Sequence, residues 1–301
     1  MTATVVGRFA PSPSGPLHFG SVVAAMASYL DARARGGRWL LRIDDLDPPR
    51  EVAGAADAIL ATLAALGLEW DGAVTYQSRR GAAYREALER LAASGASFPC
   101  ACTRAMVGKG PYPGTCRNGL PPGRRARAVR VRVGDARIAF EDRWQGRQER
   151  CLATSSGDFV VRRADGLVAY HLAVVVDDAA AGVTDVVRGL DLLDSTPQQI
   201  HLQHLLGLPT PSYGHFGVVL GRHGNKLSKQ TRAPAVLADD AAQAAWAALD
   251  FLRLTPPADA RGAPVAELLR WGVARWPGHE PPRAAMVYDY SGDAAGAAGT
   301  A

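Results

Sequence analysis

The chain has 301 residues, 48% of them hydrophobic and 21% charged, with a net charge of +5 and a pI near 9.2. That composition excludes a disordered or fibrous chain and is enough for one large α/β domain or two smaller ones. There is no apolar run long enough to span a bilayer, no basic segment with an apolar h-region, and four cysteines make no disulfide framework. A cytoplasmic, reduced setting without membrane contact is therefore expected, and the basic excess permits a polyanionic partner. Of 34 basic residues only Lys109, Lys226 and Lys229 are lysines. The pairing of two of them three residues apart hints at function, because lysine and arginine are not interchangeable where a compact, flexible charge is needed.

In chain order, the apolar run at 3–7 predicts a buried strand, and 22–30 predicts a helix with an apolar face. The crossing between them reads Arg8-Phe9-Ala10-Pro11-Ser12-Pro13-Ser14-Gly15-Pro16-Leu17-His18-Phe19-Gly20-Ser21. Its three prolines stiffen it, while Gly15 and Gly20 allow close approach of backbone or ligand. Ser21 is the expected N-cap of a helix whose free N–H groups and positive dipole end suit a phosphate. A lone His-x-Gly also reads as a proline-rich connection with a satisfied surface histidine.

Residues 38–43 predict a second strand, completing a βαβ unit with parallel pairing. The strand ends at Asp44-Asp45-Leu46-Asp47, where ligands of open α/β sheets sit, so these carboxylates are candidates for an ammonium group or ribose hydroxyls. Asp47 before Pro48 also opens a helix, and both roles can hold. Helices are predicted at 57–66, stopped by Gly67, and at 82–93 with Leu88 and Leu91 inward.

Cys100, Cys102 and Cys116 follow, three thiols within seventeen residues. In a reduced compartment they read as zinc ligands or as buried cysteines acting as small hydrophobes. No further Cys, His, Asp or Glu lies between Cys100 and Leu120; Tyr112 is the remaining side chain there with an ionisable oxygen, and Cys151 or a distant residue stays open. Between Arg117 and Arg150 stand ten arginines against four acids, either a nucleic-acid face or a solvated basic surface. Within it, 128–133 alternates as a half-buried strand, with 137–142 its expected partner. Residues 158–163 form a strand turning at 164–166, and Leu167-Val168-Ala169 opens the return into 170–178.

A further buried strand at 183–188 ends at Arg188, and Ser195-Thr196-Pro197 opens a helix to about 206. His201 and His204 on that helix lack companions for a metal and are assigned core or surface roles. A strand at 213–220 and a turn at 221–225 deliver Lys226-Leu227-Ser228-Lys229. Alone it reads as an exposed basic turn. Helices are expected at 239–252 and 265–276, and an Ala/Gly-rich tail from about 291 reads as disordered.

The long string from Arg8 to Ser21 resembles the first signature of the class I aminoacyl-tRNA synthetases in its glutamate/glutamine form, and Lys226-Leu227-Ser228-Lys229 resembles the second. The resemblance covers about residues 5 to 235. It implies a ligase that uses ATP and Mg²⁺: His18, Gly20 and Ser21 at ATP, with Lys226 and Lys229 following charge onto the pyrophosphate. It places Arg8, Ala10, Ser12, Asp44, Tyr170 and Arg188 around the amino acid. Two guanidiniums and a phenol suit a dicarboxylate, and Arg188 stands where glutamine-specific relatives have no arginine, so glutamate is favoured. The family has Glu where Asp44 stands, one methylene longer, and a water could bridge the difference.

The pattern Cys-x-Cys…Tyr-x-x-x-Cys resembles the zinc site of the glutamyl-queuosine tRNA(Asp) synthetases, in which tyrosine is the fourth ligand. That implies structural Zn²⁺ on Cys100, Cys102, Tyr112 and Cys116. Full glutamyl-tRNA synthetases continue for roughly another 150 to 200 residues, the size of a further domain. Here about 70 residues follow Gln230. The expected organisation is an α/β, Rossmann-like parallel sheet in two halves (1–98 and 158–235), a zinc-containing basic insertion (99–157), a helical C-terminal region (236–290) and a tail (291–301). The expected activity is ATP-dependent formation of glutamyl-adenylate, then transfer to the queuosine base of tRNA(Asp), by a monomer. Two alternatives stay open: a truncated synthetase charging a tRNA 3′ end, and a non-catalytic zinc-containing RNA-binding paralogue.

Overall fold

The computed structural model describes residues 4–221, 224 and 234–290. Lys226, Lys229 and the 291–301 tail lie outside the described residues. No helix among the described residues is long and apolar enough to cross a membrane.

The first apolar run forms β1 (Val6–Phe9), buried throughout. The chain crosses through α1 (Phe19–Ala34) to β2 (Arg38–Ile43), which lies parallel to β1 with Val6 opposite Arg38 and Phe9 opposite Leu41. A second crossover, α2 (Ala55–Ala65), leads to β3 (Thr75–Tyr76), parallel to β2. Then come α3 (Gly81–Ala93), β4 (Ser97–Cys100), α4 (Arg104–Val107), β5 (Ala128–Val131), β6 (Arg137–Asp142), β7 (Gly146–Cys151), α5 (Leu152–Ser155) and β8 (Val160–Arg162). The second half runs α6 (Tyr170–Ala180), β9 (Asp185–Gly189), α7 (Thr196–Leu206), β10 (Ser212–Phe216) and β11 (Val219–Leu220). It closes with α8 (Ala241–Phe251), α9 (Val265–Arg275) and β12 (Met286–Val287).

The order β3-β2-β1 meets the order β9-β10-β6-β7 along one seam. There Val6 N–H donates to Thr184 Oγ1 at 2.8 Å, and Thr184 N–H donates to Val6 O at 3.0 Å. From that seam the chain winds outward in opposite directions, β1 to β2 on one side and β9 to β10 on the other. This is a topological switch point, and ligands of α/β sheets bind beyond the strand ends there. One apolar core packs α1, α8 and α9 together; a second packs α3, α6 and α7.

Two expectations need correction. Residues 137–142 do not pair with β5. Both edges of β5 are taken, by β4 and β8, and Gly134 at φ 53° turns the chain away. β6 instead pairs with β7 and with β10 of the catalytic sheet. The strand expected at 213–220 is also broken, into β10 and β11. Gly217 sits between them, where a Cβ would lie 1.7 Å from Ala284 O. The last described segment packs against this break. β12 runs parallel to β11, Gly217 N–H donates to Pro282 O at 2.5 Å, and Tyr290 stacks on Phe19 with ring centroids 4.3 Å apart. The return after residues 164–166 is a single bridge, Arg162 to Val168, and from Tyr170 onward the chain is helical.

Candidate active site

A cleft of about 660 Å³ opens beyond β1, β2 and β9. All the described residues expected at glutamate or ATP line it: Arg8, Ala10, Ser12, Asp44, Tyr170 and Arg188, with His18, Gly20 and Ser21. Arg8 and Arg188 come from the buried ends of β1 and β9, whereas Tyr170 opens α6 at the exposed rim.

At the α1 end of the cleft, the N-cap of α1 is His18 and not Ser21 as expected. Its Nδ1 accepts the Ser21 N–H at 3.2 Å, and its Nε2 lies 3.1 Å from Ser21 Oγ. The cap falls three residues earlier because the imidazole reaches round to the N3 position, a task usually done by a short hydroxyl or carboxylate. Gly20, at N2, puts no side chain over the helix end, which keeps N–H groups and the dipole available to an anion. Both described flanks of the Lys226–Lys229 segment reach this end: Val219 lines the cleft, and Val236 N–H donates to Leu17 O at 2.9 Å beside the His18–Ala235 bridge.

At the other end, Arg42 ties the floor of the cleft together. Its Nε donates to Asp44 Oδ1 at 2.7 Å and its Nη1 to Asp178 Oδ1 at 2.5 Å. Asp178 Oδ2 in turn lies 3.4 Å from Arg8 Nε. Burial pushes the Asp44 carboxyl up to about 6, against the opposing pull of Arg42. Burial also opposes ionisation of Asp178, but Arg8 and Arg42 outweigh it and hold its pKa below the usual range. Asp177 accepts from Gln77 Nε2 at 2.8 Å and Tyr84 Oη at 2.7 Å, and pairs with Arg80.

Arg188 is 5% exposed and held from several sides. Its Nε donates to His215 Nε2 at 2.9 Å, and its Nη2 to Thr196 Oγ1 at 2.9 Å and Gln199 Oε1 at 2.8 Å. Nη1 has no partner among the described residues. Sequence reasoning missed Arg42, Asp142, Asp177, Asp178 and His215. The available signal was charge inside otherwise apolar runs, as in Trp39-Leu40-Leu41-Arg42-Ile43 and Val174-Val175-Val176-Asp177-Asp178.

Cys100, Cys102 and Cys116 also converge, with all three sulfurs within 4.8 Å of one another. Cys102 Sγ is 3.7 Å from Cys116 Sγ, and Tyr112 Oη lies 3.5 Å from Cys100 Sγ and 3.6 Å from Cys102 Sγ. A tetrahedral ion bonded at about 2.3 Å to sulfur and 2.0 Å to oxygen sets sulfurs roughly 3.8 Å apart and sulfur–oxygen pairs roughly 3.5 Å apart. The three distances above fit that geometry. The loop closes because residue 157 is glycine: a Cβ there, at φ +60°, would lie 2.4 Å from Tyr112 N. Arg130 stacks over the Tyr112 ring at 4.0 Å, with its Nε 3.3 Å from Cys100 Sγ.

A parallel sheet with a cleft beyond its switch point, a helix start and two buried arginines facing that cleft define an α/β protein of the Rossmann type. The chain belongs to the class I tRNA synthetases: the family described as "tRNA synthetases class I (E and Q), catalytic domain" matches residues 4–109 and 122–255. Among its relatives, the glutamyl-Q tRNA(Asp) synthetase of Aromatoleum aromaticum is 60% identical over 286 residues, 92% of this chain and 90% of that protein. The glutamyl-Q tRNA(Asp) synthetase of Thiobacillus denitrificans is 56% identical over 282 residues, 91% of this chain and 94% of that protein. That of Pseudomonas aeruginosa is 52% identical over 289 residues, covering 95% and 98%. Among solved structures, the glutamate-tRNA synthetase of Elizabethkingia anophelis superposes with a TM-score of 0.79 at 23% identity, over 95% of this chain and 68% of that one. The glutamate tRNA ligase of Elizabethkingia meningosepticum, in complex with its amino acid, gives 0.76 at 24% identity, over 95% and 67%. At those identities the likeness is one of fold.

Proposed function

We propose that this protein activates glutamate with ATP and Mg²⁺ and transfers the glutamyl group to the queuosine base in the anticodon of tRNA(Asp). The observation that carries the reading is one cleft with two buried arginines and Asp44 at one end and the open start of α1 at the other. Arg8 and Arg188 suit the two carboxylates of glutamate, and Asp44 suits its ammonium group. In the first step the α-carboxylate oxygen attacks the α-phosphorus of ATP and pyrophosphate leaves. His18, Gly20 and Ser21 orient the nucleotide; Lys226 and Lys229 neutralise charge that grows on the leaving group. In the second step a hydroxyl of the queuosine cyclopentenediol attacks the adenylate carbonyl and AMP leaves. The names of the relatives above support this acceptor.

Zn²⁺ on Cys100, Cys102, Tyr112 and Cys116 fills a closed set of four donors, so its role is to hold the loop, with no place for a reacting water. We assign residues 1–98 and 158–235 to the two catalytic halves, 99–157 to a zinc-containing basic insertion whose last part returns to the sheet of the second half through the pairing of β6 with β10, and 236–290 to the helical region, in a chain acting as a monomer. The basic stretch from Arg117 to Arg150 grips phosphates of the anticodon loop, whose unstacked bases a protein can read directly.

Labelled glutamate is offered with queuosine-bearing tRNA(Asp), the same tRNA lacking queuosine, and the first tRNA with its 3′ end removed. Labelling that survives 3′ truncation and vanishes without queuosine is expected. Labelling that needs an intact 3′ adenosine overturns the reading and identifies a synthetase that charges the acceptor end.

A further inference from the structure

We propose that Asp142 and His215 are positioning residues that lock the Arg188 guanidinium in place for glutamate and against glutamine. The inference rests on the reading of Arg188 as a ligand of the substrate's carboxylate.

The geometry fixes the order of donors and acceptors. An arginine Nε carries one hydrogen and only donates, so the His215 Nε2 it meets at 2.9 Å has a free lone pair. The proton of neutral His215 is then on Nδ1, which donates to Asp142 Oδ2 at 2.5 Å. Asp142 has no second choice. Its Oδ1 accepts backbone N–H groups of Trp144 at 3.1 Å, Gln145 at 3.0 Å and His215 at 3.1 Å. Both carboxylate oxygens are therefore acceptors, and the carboxylate form is required. Burial keeps His215 neutral, its pKa held below the usual value. The series Asp142, His215, Arg188 reads in one direction only.

That direction decides what the guanidinium offers. Nε is spent on His215, and the two hydrogens of Nη2 on Thr196 and Gln199, with Leu192 O a longer third acceptor at 3.4 Å. Nη1, buried and unpartnered, holds the remaining two. A buried charged donor without an acceptor is costly, so the pocket favours a ligand oxygen at that nitrogen. A carboxylate supplies an acceptor in either orientation. A carboxamide supplies one on one side and a competing donor on the other. The discrimination holds only while the guanidinium cannot turn, and His215 prevents it from turning. Asp142 and His215 come from β6 and β10, neighbouring strands of the catalytic sheet, so the device is built into strand register and not into a loop.

The test is Asp142→Asn. The new amide donates to His215 Nδ1, moves the ring proton to Nε2, and sets two donors face to face at Arg188. ¹⁵N NMR of His215 reads the tautomer directly: Nδ1–H in the wild type and Nε2–H in the variant. In ATP–pyrophosphate exchange the KM for glutamate rises by about tenfold, the scale of one lost charge-assisted hydrogen bond. The KM for ATP stays unchanged, and the preference for glutamate over glutamine falls. His215→Gln, which keeps an acceptor for Nε, retains selectivity that His215→Leu loses, and this pair decides the matter should Asp142→Asn not fold. A wild-type Nε2–H tautomer, a flipped tautomer with unchanged selectivity, or equal behaviour of the two His215 variants each overturns the proposal. An unaltered KM for glutamate in Arg188→Leu overturns it differently, by removing the substrate reading beneath it, while leaving the tautomer result intact.

Discussion

Asp178 Oδ1 lies 2.5 Å from Arg42 Nη1 beneath the cleft, and the other oxygen of the same carboxylate faces Arg8. One acid thus serves two buried guanidiniums from different strands, with Asp44 completing the set through Arg42. Removing one partner of such a group leaves an uncompensated buried charge. Asp178→Ala is expected to lower unfolding free energy by about 3–5 kcal/mol at neutral pH. Urea denaturation checks it. Because the folded pKa of Asp178 is depressed, its contribution is complete above the unfolded value of about 3.9 and is lost as pH falls through the folded one. The gap between wild type and variant therefore narrows in acid.

Asp44 has the opposite sign. Its carboxyl, raised to about 6, is neutral below that pH and ionised above it. Only the ionised form attracts the substrate ammonium, which stays charged throughout this range. The KM for glutamate in ATP–pyrophosphate exchange is expected to fall by about tenfold as pH rises from 5 to 7, because a group with a pKa of about 6 is roughly one-tenth ionised at the lower pH and roughly nine-tenths at the upper. Asp44→Asn should flatten that limb. A limb of equal slope in the variant removes Asp44 from amino-group recognition.

The cysteine cluster predicts one zinc per chain by elemental analysis of protein purified without chelators. Cys116→Ser should abolish retention of the metal. Tyr112→Phe should weaken it, since the Tyr112 oxygen lies 3.5 Å from Cys100 Sγ and 3.6 Å from Cys102 Sγ. Unchanged zinc affinity in Tyr112→Phe moves the fourth ligand elsewhere.

Lys229→Ala is expected to cut the rate of glutamate-dependent ATP–pyrophosphate exchange by about 100-fold or more, the scale of one transition-state donor. The KM for glutamate should change little, because Lys229 answers to the leaving pyrophosphate. A wild-type exchange rate in the variant excludes it from the chemistry.

The sequence made the first signature and the βαβ crossings legible because local pattern carries them, while Arg8, Ala10, Ser12, Asp44, Tyr170 and Arg188 became legible as site residues through the family resemblance. Proline stiffening, helix periodicity and strand-end position are all properties of neighbouring residues. What it hid was long-range. Nothing local says that Asp142 will meet His215, 73 positions away, or that Asp178 will meet Arg42, 136 away. The pairing of β6 was hidden likewise. Its alternation fits either neighbour, and the choice depends on the edges of β5 being occupied by strands distant in sequence. His18 was legible as a functional residue but not as a cap, since a ring reaching back to the third helical N–H is a geometric matter.

The stacking of Tyr290 on Phe19 and the pairing of β12 with β11 have a bearing on how the molecule is made. A ribosome makes Phe19, at the start of α1, some 270 residues before the ring that stacks on it. At a synthesis rate of about 5–20 residues per second, that interval is roughly 14 to 54 seconds. The cleft itself waits for Val219, about 200 residues after Phe19, and the stacking ring for about 70 more. The order of translation therefore sets a lower limit on the age at which each copy can first complete the packing around the start of α1.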